Sequence, residues 1–284
     1  MALTGLTPDL YMEQNYPRTW QEALSPAQSV AAVDLKVLEV LKEYCQAPLK
    51  VQGEGMDSRV CRLYKDFHPG RFYIAASDTS HGLGKEYSVT VIMDVRSGFV
   101  VADIMNNRLS VPEFAMHTVR LLGHFNSPLW WPEDNDWGGE TISRAVDLGY
   151  RHFGYQDKGR TKRGWHTDEK SRLALFGALL SAFDSQQIII PNYEGLMQFY
   201  FLVRNAEKRG RIEAMPGYND DYPVAVGICL AKRGEVKLST TPYSSVSALD
   251  EKGLETISGE PLPAALEEIL CRVRRSKSAL NALS

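Results

Sequence analysis

Between Val30 and Tyr44, apolar residues recur in steps of three and four at Val30, Val33, Val37, Val40, Leu41 and Tyr44. That spacing predicts a helix in a mainly helical segment that runs to about Lys65 and is punctuated by Pro17, Pro26 and Pro48. From Arg71 the pattern shortens. Phe72 to Ser77 reads as a strand that stops at Asp78, and Gly82 and Gly84 as a turn. Tyr87 to Val95 and Phe99 to Met105 are rich in Val, Ile and Met, with Arg96-Ser97-Gly98 as the hairpin turn between them. Pro112 opens a helix with Phe114, Val119, Leu122 and Phe125 on its apolar face.

Further on, short apolar runs alternate with helical periods. Leu129 to Trp131 is a short buried strand, and Gly138-Gly139 leads into a helix through Leu148. His152 to Tyr155 and Ile188 to Ile190 read as strands. Thr167-Asp168-Glu169 starts a helix to about Phe183, with acids where the helix dipole favours them. Asn192 caps a helix whose stripe is Leu196, Phe199, Tyr200 and Val203, and Asp220 or Asp221 caps another that carries Pro223, Val224, Ile228 and Cys229. Three early antiparallel strands followed by α/β units imply an α/β fold, a mixed sheet of five or more strands flanked by helices. Ser239 to Glu260 reads as a loop, and Pro263 to Ser276 as an amphipathic, partly basic helix.

Composition narrows the function classes. The chain has 284 residues, 44% hydrophobic and 24% charged, as expected of a globular protein. A formal charge of −3 argues against a generally basic nucleic-acid binder, so any such contact needs a local patch. Cys45, Cys61, Cys229 and Cys271 include no Cys-x-x-Cys pair, so neither a zinc ribbon nor a disulfide framework is indicated, and a reducing compartment fits best. No apolar run approaches the ~18 residues of a membrane span. Met1 to Tyr16 lacks the order of a signal peptide.

Three acidic stretches carry the candidate chemistry: Ala75-Ala76-Ser77-Asp78, Glu133-Asp134-Asn135-Asp136-Trp137-Gly138 and Gly217-Tyr218-Asn219-Asp220-Asp221. Alone, each acid is more often a turn residue or a helix cap. Together they stand at the ends of sheet elements, where α/β folds collect ligands, and gathered carboxylates hold divalent ions. Adjacent acids also repel each other, a cost that a cation would relieve. Thr79 to Glu86 brushes against a phosphate-binding loop, but Thr79 replaces its first glycine and Glu86 its Ser/Thr. Lys158, Arg160, Lys162 and Arg163 form a basic segment that reads equally as a phosphate contact or a solvated loop. His81 is a turn histidine, more often simply exposed, and Trp130 and Trp131 read as packing residues. No nucleophile elbow appears.

Four motifs in order carry a resemblance over about residues 70 to 232: Ser77-Asp78…Gly84-Lys85-Glu86-Tyr87-Ser88, Glu133-x-Asn135-x-x-Gly138, Gly164-Trp165-His166-Thr167…Lys170-x-Arg172, and Gly217-x-x-Asp220-Asp221-x-x-x-Ala225. In these residues the chain resembles the C-terminal nuclease domain of the tailed-bacteriophage terminase large subunit, the DNA-packaging motor protein. Tyr16 to Leu24 resembles the stretch that closes the family's ATPase half, whose phosphate-binding loop is not found upstream.

The resemblance implies an RNase H-like fold, with Asp78 on its first strand, Glu133 at the end of the fourth and the Asp pair at a late helix. Asp78, Glu133 and Asp221 would be metal ligands and catalytic residues, with Asp220 assisting or replacing Asp221. Two Mg²⁺ or Mn²⁺ ions would serve phosphodiester cleavage of double-stranded DNA with little sequence preference, and Lys158, Arg160, Lys162 and Arg163 would bind the DNA. It further implies a stub of the ATPase portion or a linker at 1–65, a nuclease domain at 66–235 and a tail at 236–284. ATP hydrolysis by this chain alone is not expected. The implied partners are portal, small terminase subunit and an ATPase domain supplied elsewhere, in the host cytoplasm. Pro132, Lys85-Glu86, and Asp134 and Asp136 depart from the family pattern, which leaves Asp134 a rival of Glu133. The alternatives are a non-catalytic docking or regulatory module, or another RNase H-like nuclease such as a junction resolvase or ribonuclease.

Overall fold

The computed structural model describes residues 30–49, 56–208 and 210–236. The expected elements at Tyr16–Leu24, Ser239–Glu260 and Pro263–Ser276 lie outside the described residues. Five strands, β1 (Cys61–Leu63), β2 (Tyr73–Asp78), β3 (Ser88–Asp94), β4 (Val100–Asn106) and β5 (Leu129–Pro132), form one sheet in the order β1-β4-β3-β2-β5. Only β2 and β5 run parallel. The described helices are α1 (Leu35–Lys42), α2 (Val111–His124), α3 (Gly138–Asp147), α4 (Glu169–Asp184), α5 (Tyr193–Tyr200) and α6 (Asp221–Lys232). The mixed, helix-flanked sheet expected from the sequence is therefore present.

Period-two alternation sorts the sheet's side chains between two cores. Tyr73, Ala75, Ile92 and Trp130 face Phe114, Leu121 and Leu122 of α2 and Ala145 of α3. Ile74, Ala76, Val91 and Trp131 face Leu175 and Leu179 of α4, Phe199 of α5 and Val226 of α6. Helices on both faces explain why β2 and β3 read as continuous apolar runs rather than alternating ones. Trp130 and Trp131 are fully buried, as expected; each indole contributes about 4–6 kcal/mol of apolar burial. The expected hairpin turn is confirmed: Asp94 Oδ1 accepts from the Arg96 and Ser97 amides, and Gly98 takes φ +68° beside the Gln187 carbonyl.

Several expectations need correction. Before Lys65 the described residues contain one eight-residue helix and the edge strand β1, which pairs with β4. Asp78 therefore ends the second strand and Glu133 follows the fifth. A three-residue edge strand is too short to show alternation. His152–Tyr155 and Ile188–Ile190 make only isolated bridges. The helix capped by Asn192, whose Oδ1 accepts from the Gly195 amide, stops at Tyr200. Val203 belongs instead to β6 (Leu202–Asn205), which pairs with β7 (Arg211–Ala214); Leu202 and Val203 happen to continue the helical period, which hides the hairpin.

Two glycines test the packing. A Cβ on Gly154 would lie 2.0 Å from the Trp131 ring, whereas one on Gly177 in α4 would meet nothing within 4 Å. Gly154→Ala is expected to lower stability by about 2 kcal/mol or more, and Gly177→Ala to raise it by about 0.5–1 kcal/mol. Chemical denaturation of both variants checks the contrast.

Candidate metal centre

The parallel pairing of β2 with β5 brings the first two acids together. Ala76 pairs with Trp131 and Ser77 with Pro132, and the Glu133 amide donates to the Ser77 carbonyl at 2.7 Å. Asp78 and Glu133 thus leave adjacent strand ends at equivalent positions. By alternation both fall on the face that carries Ala76 and Trp131, the face covered by α6. Gly138 keeps the turn after Glu133 tight, since a Cβ there would lie 1.8 Å from the Glu133 carbonyl oxygen.

Helix α6 supplies the third acid. It lies against β2 and β3, with Cys229 Sγ near the carbonyls of Ile74 and Val91. Its N-terminus is fixed through Tyr222, whose amide donates to Gln198 Oε1 and whose hydroxyl donates to Asp103 Oδ2. Asp103 is buried on β4 and also accepts from Arg62 and Asn192. Asp221, the first residue of α6, accepts from the Tyr87 amide at 2.9 Å through Oδ2.

The structure separates acids that the sequence left as rivals. Asp220 occupies the N-cap position, but its side chain makes no capping bond and is instead held by the Arg172 guanidinium of α4. Asp134 accepts from Gln156 Nε2 and is paired with His166 Nδ1. Asp136 is exposed. Glu133, by contrast, receives Asn135 Nδ2 at 3.3 Å and faces Asp78, and Asn135 Oδ1 is buried without a partner. Sequence reasoning missed the roles of Arg172 and Tyr87; both lie within the motifs, but nothing in spacing links them to the acids.

The structure divides the basic segment: Lys158 and Arg160 lie away from the acids, whereas the Arg163 carbonyl shares Gln156 Nε2 with Asp134. Lys158, Arg160, Lys162 and Arg163 are all exposed. Asp157 ties their loop by accepting from the Thr161 and Lys162 amides, and Arg160 lies over the Tyr155 ring at 4.5 Å. Lys158 and Arg160 line a cleft of about 700 Å³ with Arg71, Tyr73 and Leu129, at the end of β2 opposite Asp78. His81 is exposed, as expected, and its ring stacks on Trp137 at 4.0 Å.

No family model and no curated relative matches the sequence. Solved structures do. The large terminase nuclease from thermophilic phage G20c with bound magnesium aligns at TM-score 0.51 and 16% identity, over 69% of this chain and 96% of that one. The same nuclease with bound cobalt aligns at TM-score 0.52 and 14% identity, with the same coverage. The Thermus phage P74-26 large terminase nuclease domain aligns at TM-score 0.50 and 17% identity, over 69% and 93%. The fold is that of the phage large terminase nuclease. It is RNase H-like, as the resemblance implied.

On that fold the acid cluster is electrostatically unfavourable by itself. Burial pushes the Asp78 carboxyl well above its ordinary value, and the charges of Glu133, Asp221 and Asp220 add to the effect. Asp78 keeps part of its surface open to solvent, so a solute can still reach it. Asp78 and Glu133 are in hydrogen-bonding contact, which two carboxylates sustain only with a proton or a cation between them. Burial likewise pushes Asp221 up to about 7, against the lowering effect of the Tyr87 amide. Among the described residues no three ligating side chains close around one point as they stand. The donor set nevertheless fits a hard divalent cation: carboxylate oxygens only, crowded and short of positive charge, beside an unpaired amide oxygen.

A raised carboxyl pKa has a definite linkage sign. Below pH ~4 Asp221 is neutral whether the chain is folded or not. Above that the unfolded chain ionises first, so the folded state loses stability until pH passes about 7. Without metal, Asp221→Asn is expected to melt a few degrees above the parent at pH 8, with the gap closing toward pH 4.5. Adding manganese should stabilise the parent more than the variant. Differential scanning calorimetry of the two proteins across pH measures this.

Proposed function

We propose that the chain is a metal-dependent DNA endonuclease of a viral genome-packaging terminase. The observation that carries this reading is the convergence of Asp78, Glu133 and Asp221 at one end of the sheet of a terminase-nuclease fold. Asp78, Glu133 and Asp221 would hold two Mg²⁺ or Mn²⁺ ions, with Asp78 shared between them. When bound, the ions supply an activated water and stabilise the leaving 3′ oxygen. The protein's part is to hold the three carboxylates in place: strand pairing fixes Asp78 and Glu133, and the Tyr87 amide fixes Asp221. Asp220, held by Arg172, would assist Asp221 rather than replace it.

Lys158, Arg160, Lys162 and Arg163 would hold the DNA backbone. They are solvated, share one loop, and provide a local positive patch on a chain of net charge −3. The length of β2 separates part of this loop from the acids, about 17 Å, or roughly five phosphates along one strand. One duplex can therefore touch both. We further propose that cleavage shows little sequence preference, and that double-stranded DNA, portal, small terminase subunit and an ATPase domain supplied elsewhere are the partners, in the host cytoplasm. We also propose that 66–235 is the nuclease unit, 1–65 the ATPase stub or linker and 236–284 the tail. Among the described residues no helix is long and apolar enough to cross a membrane.

One observation favours a second reading. The ligands are not closed around a point, and Asp220 is already engaged, as in a docking module whose acids hold metal only when a partner assembles them. A calorimetric manganese titration of the isolated chain separates the two, because uptake of metal with nicking supports the enzyme.

With supercoiled plasmid and manganese, the parent is expected to nick and linearise DNA. Asp78→Ala and Asp221→Ala should each slow this at least ~100-fold; a variant that cuts as fast as the parent would remove that residue from the assignment. Lys162→Ala should weaken duplex binding and reduce the salt slope by about one, read by fluorescence anisotropy at several salt concentrations.

A further inference from the structure

A second depression, of about 320 Å³, opens beside the acid cluster on the α5 side. Tyr87, Met105, Tyr193, Met197, Phe201 and Tyr218 supply its rings and thioethers. Its walls are the residues that position the third acid: Tyr87 donates its amide to Asp221, Gln198 accepts the Tyr222 amide, and Asn219 precedes the Asp pair and donates to the Lys85 carbonyl. The loop into the Asp pair turns at Gly217, φ +87°. Tyr218 follows, its ring stacked on Phe201 at 3.8 Å and 12° and still 36% exposed.

The lining sets the class of ligand. No lysine or arginine lines this depression, and Glu194 of its lining is paired with Arg62, so the lining has nothing to attract phosphate. The cleft at the other end of β2 is the reverse, with Arg71, Lys158 and Arg160. Flat aromatic faces, polarisable sulfurs and two side-chain amides suit a neutral planar ring, and the volume admits one such group. Its place next to Asp221 means that the ring would belong to the strand whose phosphate sits at the acids.

We propose that this depression is a nucleobase subsite, in which Tyr218 stacks against one unpaired base of the strand being cut. The inference deepens the endonuclease reading and rests on it. Stacking on an exposed aromatic ring needs no particular base, because every base has a π-face. A base leaves the duplex more readily where it is already unpaired. The protein should therefore favour DNA that carries an extrahelical nucleotide.

Two duplexes test this, identical except for one bulged adenine, cut in manganese. The parent is expected to cut the bulged strand beside the bulge about tenfold faster than the same position in the paired duplex. In Tyr218→Ala the ratio should fall to near one, and in Tyr218→Phe it should persist. A binding measurement runs alongside: 2-aminopurine in place of the bulged adenine, in calcium instead of manganese, should be quenched by the parent and not by Tyr218→Ala. A parent ratio near one overturns the subsite. So does a folded Tyr218→Ala, with the parent's melting temperature, that keeps the tenfold ratio. If the parent cuts neither duplex, the endonuclease reading has failed, and the fluorescence arm decides the subsite alone: quenching that needs Tyr218 supports it, and no quenching overturns it.

Discussion

The parallel pairing of β2 with β5 is the constraint on which the rest of the molecule depends. It is the one parallel pairing in the five-stranded sheet. A parallel neighbour places two strand ends side by side, and strict alternation then fixes the face each side chain occupies. The Ser77 carbonyl accepting the Glu133 amide is the last rung of that ladder. A slip of one residue would send Asp78 to the α2 face, away from α6. Trp130 and Trp131, one buried in each core, resist such a slip because it would exchange their environments.

The acids then have to be held together against their own repulsion. Asp78 and Asp221 both have raised carboxyl pKa values for the same first cause, burial. Compensation comes from elsewhere in the fold. The Asp103 carboxylate organises Arg62, Asn192 and the Tyr222 hydroxyl on the far side of α6's first turn. A buried charge with this many partners is satisfied rather than isolated. It anchors the residue that follows Asp221, so strain at the site does not unseat the helix. A centre whose own charges disfavour the folded state, supported by a rigid second layer, is a common arrangement for metal-dependent chemistry.

How much of this was legible in the sequence follows from the range of each interaction. Asp78, Glu133 and the Asp pair could be picked out because each ends a periodic run, and periodicity is a local signal. The cap at Asn192 and the helix start at Thr167-Asp168-Glu169 were legible for the same reason. The division between Asp220 and Asp221 was not. It depends on Arg172, 48 residues away on another helix. Asp134 and Glu133 look alike in sequence, and only the folded position of Gln156 and His166 separates them. The β6–β7 hairpin was hidden because Leu202 and Val203 continue the period of α5, and β1 because three residues show no period. Lys158 to Arg163 was visible as a charge run, while the distance of Lys158 and Arg160 from the acids along β2 belongs to the fold.

The central claim is that Asp78, Glu133 and Asp221 form one divalent-metal centre. Anomalous diffraction from crystals soaked in manganese tests it directly. The account predicts two manganese peaks at the end of β2, both within coordinating distance of Asp78, with Glu133 and Asp221 completing the shells. Manganese bound only at other carboxylates, or an Asp78 carboxylate still in contact with Glu133 and free of metal at saturating manganese, would contradict it.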